Sequence, residues 1–152
     1  MAVTRAFANV LSDDLPATRD FYVTLLDLEV AFDSDWFVNL NSGQPEPGAG
    51  SPGCELGIWR RDHELIPADF QRPPSGTVLT FVVDDVDAVY ARARRHGLPV
   101  VAEPRNLFYG QRQLLVTDPN NALVDVSTPV EPSAEFAASL VQDGSTIRQQ
   151  GG

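Results

Sequence analysis

Two carboxylates hold matching places in this chain of 152 residues, each inside an apolar triplet. They are Glu55 in Cys54-Glu55-Leu56 and, seventy residues on, Asp125 in Val124-Asp125-Val126. An acid at such a place can accept hydrogen bonds from arginine or backbone groups. If two share one desolvated cleft, mutual repulsion raises the pKa of at least one, which makes it a candidate general acid or base. Other chemistry-bearing residues are sparse. Cys54 turns toward the core by strand alternation and reads as inert. His63 falls between the two halves of the chain and His96 at a helix end. No Walker loop, Gly-x-Ser-x-Gly or Cys-x-x-Cys occurs, so P-loop nucleotide, serine-hydrolase and zinc-finger chemistry find no support.

Composition narrows the classes further. Eleven basic residues against twenty-one acidic ones leave a net charge of −10. Such a surface repels phosphate backbones and anionic lipid, so no nucleic acid and no membrane is expected as a partner. A cationic small molecule is attracted, most of all into a cleft that focuses the field. The Arg92-Arg94-Arg95 cluster reads as a solvated helix face. A single cysteine, no apolar leader and no run long enough to span a bilayer give the reading soluble and cytoplasmic. The length suits one domain, or two small halves sharing one core.

The elements that position these residues form a repeat. Val10-Leu11-Ser12-Asp13-Asp14-Leu15 is matched seventy-one residues later by Phe81-Val82-Val83-Asp84-Asp85-Val86. Each half reads as strand, helix, then three strands, an α+β pattern over residues 4–60 and 77–128. In the first half, Arg5 to Leu11 is a strand, Asp14 an N-cap, and Ala17, Phe21 and Leu25 a buried helical stripe widened by Tyr22 and Leu26. Strands follow at Leu28–Phe32, Trp36–Asn41 and Cys54–Arg60, with a Gly/Pro/Ser-rich rim at 42–53 whose action as a lid stays open. Residues 61–76 are a linker. The second half has a strand at Thr77–Val83, a helix capped by Asp84 or Asp85 and closed by Gly97, and strands at Pro99–Ala102, Gln111–Thr117 and Ala122–Thr128. Residues 129–152 hold a helix over Ser133 to Val141 and a frayed tail from Asp143.

The Val10–Leu15 segment leading to Phe21-Tyr22, the Val83–Asp87 segment, Tyr109-Gly110-Gln111-Arg112 and Asp118-Pro119-Asn120-Asn121 resemble the glyoxalase/bleomycin-resistance/dioxygenase superfamily, also called vicinal oxygen chelate. The resemblance covers about residues 4 to 128. It implies paired βαβββ modules whose mixed sheet curls into a cup with small-molecule chemistry on the concave face, followed here by the C-terminal helix. It also implies a homodimer. Metalloenzymes of that kind hold a divalent cation with four side chains from the first and last strands of each module. Carried over, those positions are Phe7, Glu55, Val78 and Asp125, and a slip of two residues in the first strand would offer Asn9. Hydrocarbons give no lone pair and two carboxylates make a poor transition-metal site, so no metal and no cofactor is expected.

Alternation then sets which residues line the cup: Phe7, Asn9, Phe37, Asn39, Glu55, Trp59, Thr80 and Asp125, with Gln113 beside them and Tyr109 and Arg112 at the lip. Trp36 could serve either side. Arg112 reads more as a strand-end salt bridge than as a substrate clamp, and Trp59 and Phe37 read equally as filling for the cup or a dimer interface. Apolar walls with a few orienting polar groups suit a small ligand, and aromatic faces beside carboxylates favour a flat or cationic one. The resemblance is nearest in kind to the metal-free, acidic, bleomycin-resistance-like branch, which works by sequestration. The expected function is therefore to sequester or carry an aromatic or cationic small molecule, antibiotics included. Whether any reaction is catalysed stays open. The alternatives are a lyase, isomerase or dioxygenase-type enzyme using Glu55 or Asp125 for proton transfer or an atypical metal site, and a scaffold whose cup is filled by its own side chains.

Overall fold

The computed structural model describes residues 1–43 and 53–142, with side chains to residue 140. The expected rim at 42–53 thus falls mostly outside the described residues, as does the tail from 143. The first module runs β1 (Ala8–Ser12), α1 (Leu15–Leu26), β2 (Glu29–Asp33), β3 (Phe37–Asn41) and β4 (Glu55–Arg60). The second runs β5 (Val78–Val82), α2 (Val86–Arg95), β6 (Val100–Leu107), β7 (Gln111–Thr117) and β8 (Leu123–Pro129), followed by α3 (Ala134–Gln142). No described helix is long and apolar enough to cross a membrane.

Local chemistry explains the helix boundaries. The Asp14 side chain accepts from the Ala17 N–H at 2.9 Å, and Pro16 sits in the first turn, where its missing N–H costs nothing. Asp27 ends α1 in the left-handed region at φ 56°, its N–H donating to the Val23 carbonyl. Asp85, rather than Asp84, caps α2 by accepting from Ala88 N–H at 3.1 Å, and Gly97 turns the chain at φ 65°. Arg92, Arg94 and Arg95 occupy the last turn of α2, where cations oppose the partial negative charge of the helix end. The linker holds a single 3-10 turn at Ala68–Phe70 and is tied back by Arg61, which donates to Asp13 and to the Gln71 carbonyl.

The expected curl does not form. The strands make two separate open four-stranded sheets, ordered β1-β4-β3-β2 and β5-β8-β7-β6. Within each, the first strand pairs parallel with the last and the remaining pairs are antiparallel. Among the described residues no ladder joins one sheet to the other, so each sheet keeps two edges. Cohesion comes from the helix layer instead. Side chains of α1, α2 and both sheets form one hydrophobic cluster that includes Tyr22, Leu25, Val38 and Ile58 from the first module and Ala93, Leu114, Val124 and Val126 from the second. Polar ties cross the same boundary. The fully buried Tyr22 hydroxyl donates to Asp118 Oδ2 at 2.9 Å, Asn120 Nδ2 to Thr18 Oγ1 at 3.0 Å, and Arg92 to the Leu25 carbonyl at 3.2 Å.

Strand β6 is longer than the residues alone suggest. It runs on past Ala102 through Glu103-Pro104-Arg105, with two register shifts against β7. As the outermost strand it can hold Pro104, because a missing N–H is tolerated at an edge. At the far end of this sheet, α3 rests Phe136 against Phe108, ring centroids 5.4 Å apart.

Candidate functional site

Registers in the first sheet place nine residues on the face turned away from α1. Three rows cross β1, β4 and β3: Phe7-Glu55-Asn41, Asn9-Gly57-Asn39 and Leu11-Trp59-Phe37. Phe7 precedes the first residue of β1 but continues its alternation. The middle row is low because Gly57 has no side chain. A Cβ there would stand 1.9 Å from Asn9 Oδ1 and 3.0 Å from Phe37 Cε2, so both side chains lie across the glycine. The face therefore grades from an acid-and-amide end at Glu55 to an aromatic end at Trp59, about 13 Å away at the rise of an extended strand.

The aromatic end is larger than the alternation suggests. Phe37 packs edge-on to Trp59 at 5.6 Å and near Phe32 at 6.2 Å. Trp36, left open between two sides, joins this group, edge-on to Trp59 at 5.2 Å and stacked on His63 at 4.9 Å. The linker histidine thus closes an aromatic cluster at the end of the sheet. His63 Nδ1 accepts from the Leu65 N–H at 3.2 Å, which leaves Nε2 to carry the proton of the neutral ring.

At the other end Glu55 is held from two sides. Asn39 Nδ2 donates to Oε1 at 2.7 Å, and the Arg5 guanidinium forks the carboxylate, Nε donating to Oε2 at 2.9 Å and a terminal nitrogen to Oε1. Arg5 also lies over the Phe7 ring, its Cζ 4.7 Å from the centroid. The hydrogen bonds from Arg5, more than the opposing partial burial, hold the Glu55 carboxyl below the usual carboxylate range, and Asn39 adds to the effect. The raised-pKa acid or base weighed from the sequence is therefore moved the other way at Glu55. Burial and the neighbouring Glu55 push the Cys54 thiol upward, away from nucleophilic character.

The second sheet presents the equivalent rows Val78-Leu123-Thr117, Thr80-Asp125-Leu115 and Val82-Ser127-Gln113. Asp125 is 9% exposed and accepts from Ser127 Oγ at 2.5 Å and Thr80 Oγ1 at 3.3 Å. Val78 and Val82 are more than half exposed. Gln113 shares the Asp125 face. Arg112, expected at the lip, has the parity of Leu114 and Val116 and turns to the helix layer, where it forks Asp87 of α2 with two bonds of 2.8 Å and donates to Asn106. Tyr109 stands exposed on the β6–β7 turn, edge-on to Phe108.

Glu55 and Asp125 stand on different sheets, and neither borders the clefts described in the chain. The most apolar of these, about 330 Å³, lies on the helix side between Phe21, Thr24, His96, Leu98 and Pro119. The two sheet faces are open surfaces. A divalent metal does not fit the positions that chelating relatives use: Phe7 and Val78 offer no lone pair, Glu55 is already forked by Arg5, and Asp125 is already bonded to two hydroxyls. Among the described residues, no group of three or more His, Cys, Asp or Glu side chains is arranged to hold a cation.

Comparison with known proteins adds a family. The family model described as "Glyoxalase/Bleomycin resistance protein/Dioxygenase superfamily" matches residues 5–126. Among solved structures, a glyoxalase/bleomycin resistance protein/dioxygenase family enzyme from Burkholderia phytofirmans is similar at 20% identity and a TM-score of 0.66, over 82% of this chain and 97% of that one. A glyoxalase/bleomycin resistance protein/dioxygenase from Nocardioides is 22% identical, with a TM-score of 0.62 over 87% and 89%. A superfamily member from Sphaerobacter thermophilus is 20% identical, with a TM-score of 0.62 over 83% and 98%. At such identities the likeness speaks for the fold alone. No curated protein matches.

Proposed function

The chain belongs to the glyoxalase/bleomycin resistance protein/dioxygenase superfamily, and on that premise we propose that it is a metal-free binding protein that sequesters or carries an aromatic or cationic small molecule, such as an antibiotic. One observation carries this reading. A carboxylate, Glu55, sits in an open sheet face whose other side chains are amides, aromatic rings and Leu11, and among the described residues no group of three or more His, Cys, Asp or Glu is arranged to hold a cation. Aromatic faces and a carboxylate attract organic cations through stacking and cation–π contact. The net charge of −10 draws the same molecules by long-range attraction.

An open face holds a ligand weakly until something covers it. Phe32, Val78 and Val82 remain half or more exposed, and a second copy of the chain laid over them would turn each open face into a walled site. Acid–base catalysis at Glu55 is disfavoured, since a carboxylate held low by Arg5 is a poor proton acceptor at neutral pH.

Native mass spectrometry of freshly purified protein tests the proposal. The expected spectrum shows a dimer carrying an organic adduct and no stoichiometric metal. A panel of aromatic cations should raise the melting temperature with ligand concentration as RT ln(1 + [L]/Kd) requires. One metal per chain and no shift from any panel member would overturn it.

A further inference from the structure

The pseudo-symmetry of the two modules isolates what is peculiar to Glu55. Its counterpart Asp125 is satisfied by hydroxyls from its own sheet, Thr80 and Ser127. Around Glu55 the residues in those two places, across the parallel ladder and two along the strand, are Phe7 and Gly57. The glycine has no hydroxyl, and the Asn9 amide lies across it. Glu55 keeps one donor from the sheet, Asn39, and takes the rest from Arg5, in the segment before β1. The Arg5 side chain is 63% exposed while the carboxylate it covers is 17% exposed.

We propose that Arg5 is a tethered occupant of a guanidinium-recognising subsite, built by Glu55, Asn39 and Phe7, and that the external ligand entering there carries a guanidinium or amidinium group. The proposal rests on the binding reading above and specifies its cation. Arg5 already displays the complementary geometry: a planar fork bonded through two nitrogens to the carboxylate while its carbon lies over an aromatic ring. An ammonium has neither the plane nor the fork. The second module has no arginine at the corresponding place, where Val78 stands, and its Asp125 is satisfied by hydroxyls instead. An exposed ion pair is weakly held, so a soluble ligand presenting the same group can displace it. The segment then swings free, and the rest of a longer ligand extends along the middle row toward Trp59 and Phe37.

Titration calorimetry on the full chain with benzamidinium, its neutral isostere benzamide, and indole distinguishes the outcomes. Benzamidinium should bind wild type and displace Arg5, seen as a shift of the Arg5 side-chain 15Nε resonance toward its solvent-exposed position. Arg5→Ala, which removes a competitor, should bind benzamidinium about two- to six-fold more tightly, the factor that an exposed pair of ordinary strength imposes. Glu55→Gln should lose benzamidinium in either background, and benzamide should bind none of them. Equal or weaker binding by Arg5→Ala, or retention by Glu55→Gln, overturns the proposal. If benzamidinium fails with Arg5→Ala while indole or the aromatic-cation panel still binds, the guanidinium class falls and the binding function stands. If no probe binds either form, both fall.

Discussion

At the scale of single residues, the Arg5–Glu55 pair gives the protein a defined response to acid. The folded pKa of Glu55 lies below its ordinary value, chiefly because Arg5 donates to the carboxylate. A group lowered on folding stabilises the fold above its unfolded pKa and ceases to do so as pH falls through the lowered folded value. The window therefore opens below about pH 4. Thermal melts of wild type and Arg5→Ala should differ slightly at pH 7, with wild type higher, and should converge as the pH falls below that point. A gap that persists unchanged into strong acid would show that Arg5 acts through packing on Phe7 instead. Gly57 has the opposite character, important for what it lacks. In Gly57→Ala the new methyl collides with Asn9 Oδ1, an exposed and movable amide, and crowds Phe37. The expected cost in stability is under about 1 kcal/mol, while affinity for a ligand on this face drops because the middle row is raised. Urea unfolding set beside calorimetry separates the two effects.

Elements are where sequence spoke most clearly, and Asp14 shows why. Its side chain satisfies the Ala17 N–H at the start of α1, a local interaction three residues long. Asp14→Ala should cost about 1 kcal/mol of unfolding free energy, measured by urea denaturation, with the slope of the transition unchanged. Caps, the Tyr22-bearing stripe and the β4 and β8 alternation are short-range patterns, so they were legible. Arg112 had the parity of Leu114 and Val116, and following that parity through β7 would have turned it toward α2 and Asp87. Arg5 was harder. It meets a partner fifty residues away, and only the β1–β4 register puts Phe7 beside Glu55. The signal was present in the alternation Arg5, Phe7, Asn9, which marks all three for one face. His63 gave no local signal for its stack on Trp36, since the linker's return to the sheet is set by tertiary contacts. The curl was beyond reach for another reason. Alternation fixes which face a strand buries, but an edge-to-edge ladder between β1 or β2 and a strand of the other module depends on how whole sheets dock.

At the scale of the molecule, two open sheets are joined through what lies between them. The shared core runs from Val10 in β1 to Val126 in β8, and α1 and α2 meet inside it. Apolar packing alone is non-directional and would tolerate sliding of one module on the other. Direction comes from the Tyr22 hydroxyl, which donates to Asp118, while the other oxygen of Asp118 accepts from the backbone of Asn120 and Ala122. One aspartate thus shapes the β7–β8 turn and fastens it to the opposite module. Burial and the nearby carboxylate push the Tyr22 phenol far above its usual range, so this donor keeps its proton around neutral pH. Removing only the hydroxyl preserves the ring, which packs edge-on against Phe21 at 5.0 Å and near Phe81 at 6.2 Å. Tyr22→Phe should therefore lose a charge-assisted bond and little else, about 2 kcal/mol by urea unfolding. Native-state hydrogen exchange gives the decisive readout. If Tyr22–Asp118 fixes the modules relative to one another, amides of α1, α2 and the 118–122 turn should lose protection while those at the centres of β3, β4, β7 and β8 change only by the global loss. Uniform loss across all elements would mean that the shared apolar core sets the arrangement by shape alone.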